Sequence, residues 1–199
     1  MMPWGHLAVG YLVYTVGSRV WYRRTPSGVG TLVVAFGTQF PDLVDKPLNW
    51  WFGVYDGRAV GHSLVTVVPL CVVVALAARR YGRSELAGAF SVGALTHLLG
   101  DSYGSLLSGE FGRVGFLLWP FLPAPTYPAD SLLYHLERWE GQFRYLSSLS
   151  PTDLLTSGFG FQLVLAAVLF GVWALDGFPG VGTLWRLATR RRTADRRSE

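Results

Sequence analysis

The chain has 199 residues; half are hydrophobic, 15% are aromatic and only 15% are charged, with a net charge of +4. A soluble domain carries about 25% charged residues, and the positive charge sits in short arginine clusters between apolar runs, which excludes a nucleic-acid surface and fits a membrane protein marking its cytoplasmic side. A lone cysteine, Cys71, excludes an internal disulfide and any CxxC metal or redox motif.

In chain order, a first apolar segment covers residues 6–20 and ends at Arg19, Arg23 and Arg24. It is short against the roughly 20 residues that span a hydrocarbon core. With no basic n-region and no small-x-small cleavage site it reads as retained. The second segment, 29–44, closes at Pro41 and Asp42. The third, 59–78, is the clearest (AVGHSLVTVVPLCVVVALAA) and is followed by Arg79, Arg80 and Arg83. The fourth covers 86–107. The stretch GFLLWPFLPAPTYP is too short and proline-broken to span, and is expected to be re-entrant or interfacial. Residues 130–149 place Leu, Tyr, Trp and Phe at helical spacing, as in an amphipathic helix lying on a membrane surface. A last span covers 157–175. The expected fold is an all-α membrane protein of about five transmembrane helices. It forms one integral domain over residues 1–180, followed by a basic cytoplasmic tail over 181–199 that is expected to lack order.

Arginine placement sets the orientation. With the N-terminus outside and five spans threaded, 12 of the 17 Lys and Arg residues fall in the cytoplasm, while Lys46, Arg58, Arg113, Arg138 and Arg144 fall outside. That topology, set without reference to histidine or aspartate, brings His6, Asp42, Asp45, Arg58, His62, His97 and Asp101 to one membrane face. His97 and Asp101 are at i and i+4 and share a helix face; Asp42 and Asp45, at i and i+3, do so if the helix continues past Pro41. Each residue alone has an ordinary reading. His6 could be an interfacial residue beside Trp4, His62 a core histidine, His97 with Asp101 a buried ion pair, and Asp42 with Asp45 a helix end. Together they read as a functional site, because ionisable residues inside a membrane are expensive and face the bundle interior. The donor set mixes nitrogen and oxygen with no thiolate, which suits one or two divalent ions of Zn, Mn or Fe. His135, Glu137 and Glu140 read as the solvated face of the amphipathic segment, and Glu110 as at most a marginal candidate.

These motifs resemble the membrane-bound metal-dependent hydrolases, a family also described as LexA-binding and inner-membrane-associated. That family has an early His, a PD-x-D element, an R-G-x-T-H-S element and a late H-x-x-x-D element. Here the elements read WGH (Trp4–His6), PDLVD (Pro41–Asp45), RAVGHS (Arg58–Ser63) and THLLGD (Thr96–Asp101), in that order. The resemblance covers roughly residues 1–125. It departs at Ala59 and Gly61, where the family has Gly and Thr.

The resemblance implies a metal-dependent hydrolase. On the residues, His6, Asp42, Asp45, His62, His97 and Asp101 are the expected metal ligands. Asp45 is alternatively a general base, and Arg58 is a holder of an anionic group. Location at headgroup depth points to membrane lipids as partners and to a phosphoester or ester of an amphiphile as substrate, with no nucleic acid expected and the oligomeric state open. The alternative is a non-enzymatic cation carrier or scaffold built on the same polar cluster. A carrier needs polar residues in both halves of its spans, and the cytoplasmic halves read as apolar.

Overall fold

The computed structural model describes residues 1–54, 57–125 and 131–195. All regular structure among them is helical: α1 Pro3–Trp21, α2 Gly28–Trp50, α3 Leu64–Arg80, α4 Ser84–Leu107, α5 Leu132–Tyr145, α6 Pro151–Thr156, α7 Gly158–Leu175 and α8 Val181–Asp195, with a 3-10 helix over Phe111–Leu118. The all-α expectation holds. The start of the amphipathic segment at Asp130 and the last four residues of the tail lie outside the described residues.

Local chemistry sets the helix ends. Pro3 opens α1 at a position where a missing N–H costs nothing. Ser27 and Ser63 cap α2 and α3, each hydroxyl accepting a backbone N–H from the first turn, Gly30 and Val65 respectively. Two expected boundaries move. The second helix does not stop at Pro41 but runs through Pro41 and Pro47 to Trp50, which puts Asp42 and Asp45 on helical backbone. The third begins at Leu64, not at 59; residues 59–63 form a buried irregular segment, for a reason given by Asp45 below.

α4 is the centre of the bundle and packs against α1, α2 and α3, while α7 packs on α1. The α2–α4 crossing is close because it is built on glycine. A Cβ on Gly37 would sit 2.6 Å from the Phe90 carbonyl oxygen, and one on Gly93 2.6 Å from that of Val34. Small residues let helix backbones approach in this way in membrane bundles. Val67, Cys71, Phe90, Ala94 and Leu98 fill one side of α4, which makes Cys71 a packing residue; Tyr11, Tyr14, Val34 and Ala89 fill the other.

Among the described residues only α7 is both long and apolar enough to cross a membrane unaided, with a mean hydropathy of 2.0 over 18 residues of which 11% are buried. α1 to α4 carry too many polar or small residues, or fall short in length. The tail expected to lack order is helical to Asp195. Val181, Leu184 and Trp185 recur at helical spacing there, all exposed, and that apolar face gives the segment a reason to fold at an interface.

Candidate functional site

The polar residues of four segments converge at one end of the bundle: the first turns of α1, the second half of α2, the 57–63 segment and the second half of α4. His6, Asp45, His62 and His97 are essentially inaccessible, at 0–1% exposure.

Asp45 organises the segment before α3. It accepts backbone hydrogen bonds from Ala59 (2.8 Å), Gly61 (2.7 Å) and His62 (3.1 Å), and a fourth from His62 Nδ1 at 2.8 Å. A buried irregular segment needs partners for its N–H groups, and this carboxylate supplies them, which is why α3 starts only at Leu64. Gly61 permits the approach, because a Cβ there would meet the Pro41 carbonyl oxygen at 2.5 Å. Asp45, expected as a metal ligand or general base, thus faces the backbone N–H groups of this segment and the His62 ring. Three of the four donors share Oδ2 and one meets Oδ1, so most of the acceptor capacity of this carboxylate is in use.

The two histidines are pinned in the same sense. His62 Nδ1 faces Asp45 Oδ2, and His97 Nδ1 lies 2.6 Å from the carbonyl oxygen of Thr38. Both partners only accept, so each Nδ1 carries a hydrogen, and in the neutral ring each Nε2 carries a lone pair. The two Nε2 atoms face each other at 3.1 Å. Around them stand Asp42 Oδ1, 3.6 Å from His62 Nε2 and 3.9 Å from His97 Nε2, and Asp101 Oδ2, at 3.5 and 3.6 Å. His6 stacks on the His97 ring at 3.8 Å, with Nε2 3.2 Å from Asp101 Oδ1, and its buried Nδ1 has no hydrogen-bond partner among the described residues. Two overlapping triads result, His6–His97–Asp101 and Asp42–His62–His97, with donor atoms all within 4.8 Å of one another.

Cations stand behind the carboxylates. Lys46 Nζ is 2.7 Å from Asp42 Oδ2, and Arg58 Nη2 is 2.9 Å from Asp101 Oδ2 with its guanidinium over the buried Phe116 ring. Asp101 Oδ1 also lies 2.6 Å from the Met1 amine. The cluster opens into a cavity of about 470 Å³, whose far wall is α5: Tyr134, His135, Arg138, Trp139 and Gln142 line it. The structure therefore brings together every residue the motifs singled out, with Asp45 behind the cluster instead of in it. Sequence reasoning passed over Lys46 as a topology marker and the α5 residues as a solvated face. The signal that could have found the latter is the spacing 134, 138, 142, one helical stripe of Tyr, Arg and Gln.

The opposite end is not apolar as expected. The Asp176 carboxylate, just past α7, accepts hydrogen bonds from Tyr11 (2.7 Å), Thr15 (2.8 Å) and Arg19, while Glu85 accepts from Tyr14 and Ser27, both at 2.9 Å, and pairs with Arg24.

The described residues thus form an all-helical bundle with a buried His/Asp cluster at one end. Its residues 1–177 match the model of the YdjM inner membrane protein family, and the chain belongs to that family. No curated protein and no solved structure matches it.

Proposed function

We propose that the chain is a metal-dependent hydrolase embedded in the inner membrane as a bundle of about five spanning helices, with the cluster at the outer interface and the C-terminus cytoplasmic. One observation carries the reading. His62 Nε2 and His97 Nε2 face each other at 3.1 Å, and with both Nδ1 hydrogens committed elsewhere, two lone pairs so placed repel unless a shared proton or a metal cation lies between them. Nitrogens bound at about 2.0–2.1 Å to one tetrahedral ion lie about 3.3 Å apart. Asp42 and Asp101 complete a two-histidine, two-carboxylate set that suits Zn²⁺, Mn²⁺ or Fe²⁺. His6 orients Asp101, or joins a second ion.

When bound, a divalent ion supplies Lewis acidity and a nucleophile at neutral pH. The chain's own groups do the rest. Asp45 and the Thr38 carbonyl fix the tautomers and ring planes of His62 and His97. Arg58, with Asp101, faces the cavity and holds an anionic part of the substrate. The partly enclosed pocket limits water at the reacting group. Its place at headgroup depth favours a phosphoester or ester of an amphiphile.

A cation carrier is the second reading, and the polar groups at the opposite end favour it. Both carboxylates there are already taken up by neighbouring donors, and Ala8, Val34, Ala89 and Ala94 lie fully buried in the bundle. A one-sided pocket with a brace at the other end fits this better than a path.

Elemental mass spectrometry on detergent-purified protein tests the hydrolase reading, wild type beside His62→Ala and Asp42→Asn. About one or two equivalents of Zn, Mn or Fe are expected in the wild type. Both variants should lose the metal and the hydrolysis of a phosphoester panel while keeping their helical circular dichroism. A wild type that takes up no metal after reconstitution, or metal flux into proteoliposomes without hydrolysis, would overturn the proposal.

A further inference from the structure

The amphipathic helix α5 does not lie apart from the site. Its ring contacts seat it on two helices of the bundle: Phe143 with Trp4 of α1 at 5.7 Å, and His135 with Trp50 of α2 at 5.3 Å. Between those anchors, Tyr134, Arg138 and Gln142 recur every four residues and line the cavity above the His/Asp cluster. A helix on a membrane surface has no need to turn an arginine and a glutamine toward a pocket.

Charge gives this wall a purpose. Among the described side chains that line the cavity, the carboxylates are Asp42, Asp45 and Asp101, and the cations are Lys46, Arg58 and Arg138. The three negative charges are thus met before any ion enters. The pairing is local as well: the two carboxylates placed to hold an ion each already face a cation, Lys46 at 2.7 Å and Arg58 at 2.9 Å. A divalent ion then adds positive charge that the protein does not neutralise. In a partly enclosed site such an excess is costly unless an anion brings the balance. A purely structural or storage site would neutralise its ion with its own carboxylates.

We infer that α5 is the recognition wall of the site and that the ligand carries a phosphate group, held between Arg138 on one side and Lys46 and Arg58 on the other. A phosphate offers several acceptor oxygens to cations that arrive from different directions, and arginine matches its geometry with two parallel N–H groups. A neutral ester leaves the excess charge in place. The inference rests on the metal reading above and narrows its substrate to phosphate-bearing molecules.

Isothermal titration calorimetry of the full chain in detergent tests it, with inorganic phosphate and dihexanoyl glycerol phosphate as two separate titrants into the zinc-loaded protein, and monohexanoyl glycerol as the neutral control. Elemental analysis of each sample first establishes that zinc is present, so that absence of metal condemns the metal reading and is not confused with failure of this one. Phosphate is expected to bind the loaded wild type and not the metal-free protein, and Arg138→Gln to weaken binding roughly 10-fold with zinc content unchanged. Tighter binding of the lipid phosphate than of inorganic phosphate would identify a headgroup as the source, and equal binding a water-soluble phosphoester; both agree with the inference. Zinc-loaded protein that binds phosphate equally with and without Arg138, or that binds the neutral lipid as well as the lipid phosphate, would overturn it.

Discussion

Asp42 and Asp45 lie three residues apart on the same helix, yet the structure gives them different work. Asp45 is buried and holds the segment before α3 through three backbone N–H groups and the His62 ring. Asp42 is a fifth exposed and faces the imidazole nitrogens. Asparagine at position 45 would put an amide NH₂ against some of those donors. Breaking one partner of such a buried network costs about 3–5 kcal/mol, so Asp45→Asn should melt well below the wild type and lose metal as His62 turns loose. Asp42→Asn should lose metal with little change in melting temperature. Differential scanning fluorimetry paired with metal analysis separates the two, and similar melting temperatures would contradict this division of roles. That His6, Asp42, His62, His97 and Asp101 meet is legible from the sequence, because the topology expected from arginine bias brings them to one end of the bundle. Their roles are not. Spacing allows both aspartates to be ligands, and the choice is made by backbone N–H groups seventeen or fewer residues further on, which carry no residue-type signal.

At the scale of elements, the site depends on two features that pattern reading treats as interruptions. Helix α2 continues through Pro41 and Pro47, and the 59–63 segment stays irregular although its sequence is apolar. The first conflicts with proline as a helix breaker. The run AVGHS looks like the start of a span only because the need of its buried N–H groups for a carboxylate is invisible in hydropathy. Gly61 lets the segment close on α2. Alanine at that position meets the Pro41 carbonyl, a backbone group with little room to yield, and should cost about 1–3 kcal/mol. Since Asp45, the segment and His62 move together, Gly61→Ala should also weaken zinc binding, whereas Gly112→Ala, with open space around its Cβ position, should not. Zinc titration of both variants checks the contrast. Amphipathic spacing also found α5 but placed its charged residues in solvent, because periodicity identifies a stripe without saying what the stripe faces.

Taken whole, the molecule is polar at both ends and tied at each. Asp176 sits at the C-terminal end of α7, where the helix dipole disfavours a negative charge, and Arg19, Tyr11 and Thr15 of α1 hold it there. Burial pushes its carboxyl up, but the hydrogen bonds from Tyr11, Arg19 and Thr15 outweigh that and hold it below its ordinary value of 3.8. A carboxyl lowered on folding stabilises the folded state above its ordinary value, and that contribution fades as pH falls through the lower folded value. Asp176→Asn should therefore melt below the wild type at neutral pH, with the gap narrowing as pH drops below 3.8. Thermal melts across that range check it, and a gap that widened in acid would refute the brace. This end reads as empty in the sequence because tyrosine is grouped with the hydrophobic residues, while its hydroxyl does the bonding here.

The contrast between α7 and its partners bears on how the chain is made. α7 can enter lipid by itself, since 11% of its apolar window is buried inside the protein. α1, α2 and α4 cannot do so on equal terms, because each carries a histidine or carboxylate with a partner on another segment. If they span the membrane as proposed, each would, when released singly from the insertion machinery, hold an unmatched polar group against hydrocarbon. On the proposed multi-span arrangement these segments leave that machinery together, and assembly becomes a cooperative step completed by α7, the most apolar helix of the chain.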